Sequence, residues 1–271
     1  MFSWIVGAIL VLAIVGTPLV WLYQIIHELL KYFLSDWYNR NLFFTTVEPA
    51  RKTFLGNNFN YYKGLSQRNQ QIFERRLQKF IDMKNFEGRD ELEITVEMET
   101  LVAAAAIQVT FGFPSVYLEH FDRIILYPDV YYSTINETYH QGEVNSKGII
   151  VLSWKNLLEG YGQQTDGRNL ALHEMAHALK ISDVNSAAGY DFFDPIAFHR
   201  FIAYAREEMN LIADGEHSLF RKYAATNDHE FFAVALENFF ERPAEFRDFH
   251  EEMYESLAAL MNQDPIQLSS H

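Results

Sequence analysis

At 271 residues with 49% hydrophobic and 15% aromatic content, the chain is long enough to bury a sizeable core and is not a disordered protein. A formal net charge of -14 argues against a nucleic-acid partner, because that affinity rests on Lys and Arg displacing counterions from phosphates. Cysteine is absent, so neither a disulfide framework nor a thiolate metal site exists, and any metal must rely on His, Asp and Glu.

In chain order, the first element predicted is a membrane anchor over residues 1–30. The run "FSWIVGAILVLAIVGTPLVWLYQII" carries no formal charge and exceeds the ~20 apolar residues a spanning helix needs. Trp4 near one end and Trp21 and Tyr23 near the other suit interfacial belts, and Pro18 is tolerable in a membrane helix. A cleavable signal peptide fits less well, for want of a basic start and a small-residue cleavage site. Lys31, Arg40, Arg51 and Lys52 follow the span, so the positive-inside rule predicts a single-pass membrane protein with its main domain in the cytoplasm. Residues 31–64 read as a juxtamembrane amphipathic segment and linker, and a linker helix packing on the domain explains "ELLKYFLSDWYNRNLFF" equally well. "GNNFNYYKGLS" reads as loop, with Ser66 capping the next helix.

Residues 65–271 read as one α+β domain, mostly helical with a small sheet. In "SQRNQQIFERRLQKFIDMK" the residues Ile72, Phe73, Leu77, Phe80 and Ile81 recur at helical spacing, leaving Arg75, Arg76 and Lys79 for a solvated surface. "TVEMETLVAAAAIQVTFG" is a second helix, alanine-rich enough for close approach by a neighbour and ended at Gly112. Strand signals follow in "RIILYP" and "GIIVLSW", then turn residues in "KNLLEGYGQQTDGR", with Asp166 or Asn169 opening the next helix. After "NLALHEMAHALK" come a polar loop, "SDVNSAAGYDFFD", a helix from Pro195, a helix stopped at Pro243, and a last helix, "PAEFRDFHEEMYESLAALM".

"LHEMAH" places His173 and His177 four positions apart, stacked on one helical face with Cβ atoms roughly 5–6 Å apart. Two such imidazoles can aim at one zinc ion, with Glu174 beside it as a general base that takes a proton from activated water and passes it to a leaving amine. The bland alternative is a surface helix bearing two histidines. Catalytic zinc needs a third protein ligand, and "NDHEFFAVALENFF" offers Glu230 and Glu237, seven apart and nearly on one face of an otherwise apolar helix. Buried carboxylates need a reason. Glu230 as ligand and Glu237 as the group holding an imidazole or the ligand helix in place would supply one. Ion pairs with Arg221, Arg242 or Arg247 would supply another.

The pieces "GEVNSKGIIVLSW", "DGRNLALHEMAHAL", "KYAATNDHEFFAVALENFFERP" and, upstream, "LEITVEMETLVAAAA" and "IILYPDVY" resemble the Mlc titration factor A family of zinc-dependent peptidases. These are gluzincins related in their catalytic domain to anthrax lethal factor. The resemblance implies a zincin-like fold with His173, His177 and Glu230 as zinc ligands, Glu174 as general base, and Tyr223 as a hydrogen-bond donor to the oxyanion. It implies a peptide or protein substrate, with aminopeptidase or short-peptide hydrolysis. It also implies an alternative, a regulatory protein that sequesters a transcriptional repressor. "GIIVLSW" resembles the strand before the active helix, where an edge strand would pair with extended peptide, although a plain core strand has the same sequence. Lys180 replaces the family's usual Asp, and Asn227, Asp228 and His229 replace its usual residues before Glu230. His229 reads as surface or as support for the ligands, because adjacent helical residues point about 100° apart.

Overall fold

The computed structural model describes Ile26 and residues 46–133, 137–163, 165–184 and 192–268. The expected anchor at 1–30 and the amphipathic stretch at 31–44 lie outside the described residues, Ile26 apart. Among the described residues no helix is long and apolar enough to cross a membrane, and the single-pass membrane localisation expected above is corrected on that finding. The long helix Pro195–Asp214 illustrates the reason, carrying Arg200, Arg206, Glu207, Glu208 and Asp214. The cytoplasmic placement, which rested on orienting a spanning helix, falls with it.

Residues 46–64, expected as linker and loop, instead form α1 (Pro49–Asn58) and α2 (Asn60–Gly64). Leu55, Phe59 and Tyr62 along this stretch are buried, an apolar spacing too short for a periodic signal to stand out. Helix α3 (Gln67–Asp82) is capped by Ser66, which accepts from the Asn69 amide at 3.4 Å. Of the three charges expected on its solvated face, Arg76 is only 1% exposed. Its guanidinium donates to the carbonyls of Thr110 (2.8 Å), Phe111 (2.9 Å) and Phe113 (3.0 Å), satisfying the open carbonyl end of α4 (Val96–Thr110). Lys79 lies over the Tyr117 ring, 4.7 Å from its centroid.

Helix α4 is buried on every side from Thr100 to Thr110. Its alanines 103–106 are fully buried, and it packs against α1, α3 and the helix that carries the two histidines.

The sheet has the order β1-β2-β6-β5. Strands β1 (Asn85–Gly88), β2 (Arg123–Tyr127) and β6 (Ile149–Ser153) are parallel, and β5 (Gly142–Asn145) runs antiparallel to β6 with Gly142 opposite Leu152. Strands β3 (Tyr131–Ser133) and β4 (Thr138–His140) form a separate hairpin. The segment expected at the sheet edge, β6, is therefore paired on both sides, and β5 is the edge strand beyond it. Ile150 and Leu152 of β6 are fully buried, as its continuous apolar run requires of an inner strand.

Ser153 caps α5 (Trp154–Gly162), a helix where turn residues were expected; two glycines mask it in the sequence while Leu157 anchors it in the core. Then follow α6 (Leu170–Val184), α7 (Pro195–Asp214), a 3-10 turn (Lys222–Thr226) and α8 (Asp228–Glu241). The expected last helix divides at His250 into α9 (Pro243–Phe249) and α10 (Glu251–Met261), followed by α11 (Pro265–Leu268). The described residues from 46 to 268 make one compact, mostly helical unit with a small sheet.

Candidate metal centre

Two helices and one strand build the centre. Asn169, not Asp166, caps α6: its Oδ1 accepts from the Leu172 amide at 3.2 Å and its carbonyl from the His173 amide. Helix α8 is capped by Asn227, whose Oδ1 accepts from the His229 and Glu230 amides. At 100° per residue, Glu230, Glu237 and Glu241 lie within about 20° of one line along α8. That line faces α6, against which α8 packs.

His173, His177 and Glu230 come together, each offering one ligand atom within 4.8 Å of the others. His173 Nε2 is 3.1 Å from His177 Nε2 and 3.1 Å from Glu230 Oε2, and His177 Nε2 is 3.6 Å from that same oxygen. Donors bonded at ~2.0–2.1 Å in a tetrahedron stand about 3.3 Å apart, so the spacing fits one ion of that geometry. Two imidazole nitrogens and a carboxylate oxygen are a set that suits zinc. Among the described residues no other cluster of His, Asp and Glu meets the same criterion.

Glu237, 1% exposed, is held from three sides. His173 Nδ1 is 2.8 Å from its Oε1, Arg221 donates to both oxygens at 2.7 and 3.1 Å, and the Asn169 amide donates at 2.7 Å. Both sequence readings of this residue therefore hold at once: it orients an imidazole and it pairs with an arginine. Glu230 meets no arginine within ion-pair range among the described residues; its side-chain partners are the two histidines and the Tyr223 hydroxyl.

The electrostatics favour a cation. Burial opposes charge on His173, yet the hydrogen bonds its ring donates to Glu230 and Glu237 outweigh it and push its pKa up to about 10. Burial also raises Glu230, but the two imidazoles overcome it and hold the carboxyl well below the usual range. Glu174 differs: burial dominates and raises its pKa, with the imidazoles only partly offsetting.

Glu174 is 6% exposed and lies under the edge strand. A Cβ on Gly142 would stand 2.6 Å from Glu174 Oε1 and 2.8 Å from its Cδ. Sequence reasoning missed Gly142, and its only signal was a glycine just before a strand-forming run. Tyr131, on the hairpin, has a buried hydroxyl without a hydrogen-bond partner, and burial together with Glu143 and Glu174 raises its pKa. Ser133 ties that hairpin to β5 by donating to Glu143 at 3.1 Å. Tyr223 is 49% exposed, its ring centroid 6.0 Å from that of His173; burial and a hydrogen bond to Glu230 raise its hydroxyl to about 12.

His229 is exposed on α8, so it belongs to the surface. Lys180 turns away from the ligands to the rings of Phe198 and Phe232, 5.9 and 5.8 Å from their centroids. His120, His199 and His217 are spent on a backbone carbonyl of Ser146, a backbone carbonyl of Pro195 and the ring of Phe249.

The chain matches the family described as glucose-regulated metallo-peptidase M90 over residues 34–261. It is 28% identical over 247 residues to the uncharacterized protein slr2042 of Synechocystis sp., covering 85% of this chain and 90% of that protein. Mlc titration factor A of Edwardsiella ictaluri is 27% identical over 200 residues, 65% of this chain and 74% of its own length. Mlc titration factor A of Escherichia coli strain K12 is 28% identical over 174 residues, 57% of this chain and 64% of its own length.

Proposed function

The chain belongs to the M90 family of metallo-peptidases, and from that premise we propose that it hydrolyses peptide bonds with a zinc ion held by His173, His177 and Glu230. The observation that carries this reading is the convergence of three donor atoms, within 4.8 Å of one another, directly beside the buried carboxylate of Glu174. Zinc when bound supplies Lewis acidity toward a carbonyl oxygen and lowers the pKa of water toward neutrality.

The chain's own residues do the rest. Glu174, its basicity raised by burial, takes a proton from the attacking water and delivers it to the departing amine. The Tyr223 hydroxyl, still protonated at neutral pH with a pKa near 12, donates a hydrogen bond to the oxyanion, an interaction that gains strength as charge develops. Glu237 fixes the ring of His173 through Nδ1, leaving Nε2 to face the centre. The edge of β5 not paired with β6 offers backbone groups to an extended peptide, which supports peptide backbone as the substrate. Aminopeptidase or short-peptide action is the family-based part of the proposal, and blocking the substrate's amino terminus tests it.

The deciding experiment compares parent and Glu174→Gln. Retained zinc with hydrolysis of a peptide library lost in the variant is the expected result; hydrolysis that survives the variant or survives chelation overturns the reading. A second reading draws on the name of the relatives, Mlc titration factor A: a regulatory protein that sequesters a transcriptional repressor, with weak hydrolysis or none. Zinc-loaded protein that cleaves no library member yet holds a purified repressor would favour it.

A further inference from the structure

The first turn of α6 also borders a cavity of about 270 Å³. Rings of Phe59, Tyr61, Tyr161 and Phe240 line it, and Glu241 and Gln108 are among its polar groups. Glu241 takes hydrogen bonds from neutral donors: the Gly167 and Arg168 amides at 3.0 and 3.2 Å on Oε2, and Asn169 Nδ2 at 3.0 Å on Oε1. A carboxylate has about four lone-pair positions, so one remains, on Oε1.

No cationic side chain among the described residues stands within ion-pair distance of Glu241. Arg221 is committed to Glu237, and Arg242 to Asn238, the Leu219 carbonyl and Glu245. The nearby charges that act on Glu241 are negative, from Asp166 and Glu237. Burial, the larger influence, and those neighbours push its carboxyl up to about 7, the response of an acid without a counter-charge. Gln108 supplies a second, independent sign. It is 4% exposed and lines the cavity, and its Oε1 has no hydrogen-bond partner. A buried acceptor left unmade is costly, as is a partly buried carboxylate without a counter-charge.

We propose that this cavity binds a small organic cation, an ammonium or guanidinium group on a short apolar or aromatic body, with Glu241 as its counter-ion and the four rings as its walls. Aromatic faces attract such cations and shelter an apolar body, whereas an anion would meet Glu241 and Asp166, and a neutral ligand would leave the carboxylate unpaired. Glu241 is the single carboxylate among the lining residues, whereas a hard inorganic cation is ordinarily held by several charged or carbonyl oxygens at once. The site is distinct from the metal centre: Leu172 and Asn169 face the cavity, while His173 faces Glu230 and His177.

The test is calorimetric titration of the full chain at constant ionic strength with benzylammonium chloride, benzyl alcohol and potassium chloride. Saturable binding of benzylammonium is expected, with at least about tenfold weaker binding of benzyl alcohol and none of potassium. Glu241→Gln should weaken benzylammonium at least about tenfold, and Phe240→Leu, which removes a ring and leaves the charge, about threefold. Glu230→Gln should bind as the parent does, since an amine bound at the metal centre would be lost there. Four results overturn the proposal: equal affinity for the alcohol, undiminished binding by Glu241→Gln, loss of binding in Glu230→Gln, or no saturation up to about 20 mM. Thermal unfolding of each variant shows whether it is folded; should Glu241→Gln fail to fold, the alcohol comparison and Phe240→Leu still decide.

Discussion

The edge strand leaves no room for a side chain at Gly142: a methyl there would stand 2.6 Å from Oε1 and 2.7 Å from Cγ of Glu174. All three of the crowded atoms belong to a side chain, so Gly142→Ala can be absorbed by moving Glu174 rather than the backbone. We expect the variant to keep its unfolding midpoint and its metal content while peptide hydrolysis falls by ~10²-fold, the cost of misplacing a catalytic group by about 1 Å. Parental turnover in a folded Gly142→Ala protein would mean that the position of Glu174 is immaterial.

Glu230 and Glu237 separate by metal affinity. Glu230→Gln replaces a ligand oxygen and should leave the purified protein without stoichiometric metal. Glu237→Gln keeps an acceptor for Arg221 but weakens the grip on His173 Nδ1, now 2.8 Å away, and should loosen metal by about 10- to 100-fold. Competition with a chelator measures both, and the reverse ranking would show the ligand to be Glu237.

Tyr223 is half exposed and adds little to the core. Tyr223→Phe should therefore unfold with the parent while kcat drops by about 10²-fold and KM barely moves, the pattern of a donor that acts on charge formed in the transition state. A change confined to KM would make it a binding residue.

Arg76 closes α4 from inside the core. Arg76→Met would leave the carbonyls of Thr110, Phe111 and Phe113 without their donor and should cost about 3 kcal/mol. Urea unfolding would register this as a lower midpoint with an unchanged slope.

Glu241 links stability to pH. Its folded pKa is raised from 4.5 to about 7, chiefly by burial, so the folded chain holds this proton more tightly than the unfolded chain. The stability that this group contributes is full below its unfolded pKa and is lost as pH rises through about 7. Relative to the parent, Glu241→Gln should therefore gain about 1–2 kcal/mol between about pH 5 and about pH 8, a figure discounted for partial exposure. Urea unfolding at the two pH values checks the sign.

What the sequence by itself determined is local. The spacing of His173 and His177 places both imidazoles on one face because the helical repeat is short-range geometry, and Ser66 caps a helix because a cap needs only the next three residues. The apolar residues around Glu230 and Glu237 marked a buried helix, and a buried charged carboxylate is costly unless it is paired or metal-bound. Family resemblance added the link between the two segments, which periodicity alone could not supply.

Tertiary structure decided everything that depends on which surfaces meet. Whether β6 lies at an edge or between β2 and β5 is set by its pairing with β2, which precedes the hairpin of β3 and β4, since β5 is its neighbour in the chain and would pair with it either way. Arg76 reads as solvated until the carbonyl end of α4 arrives over it, Glu237 serves histidine and arginine together because both approach from other segments, and Gly142 matters only because Glu174 lies beneath it. In each case the deciding energy is a contact between residues far apart in the chain, and such contacts leave no periodic trace in the order of the amino acids.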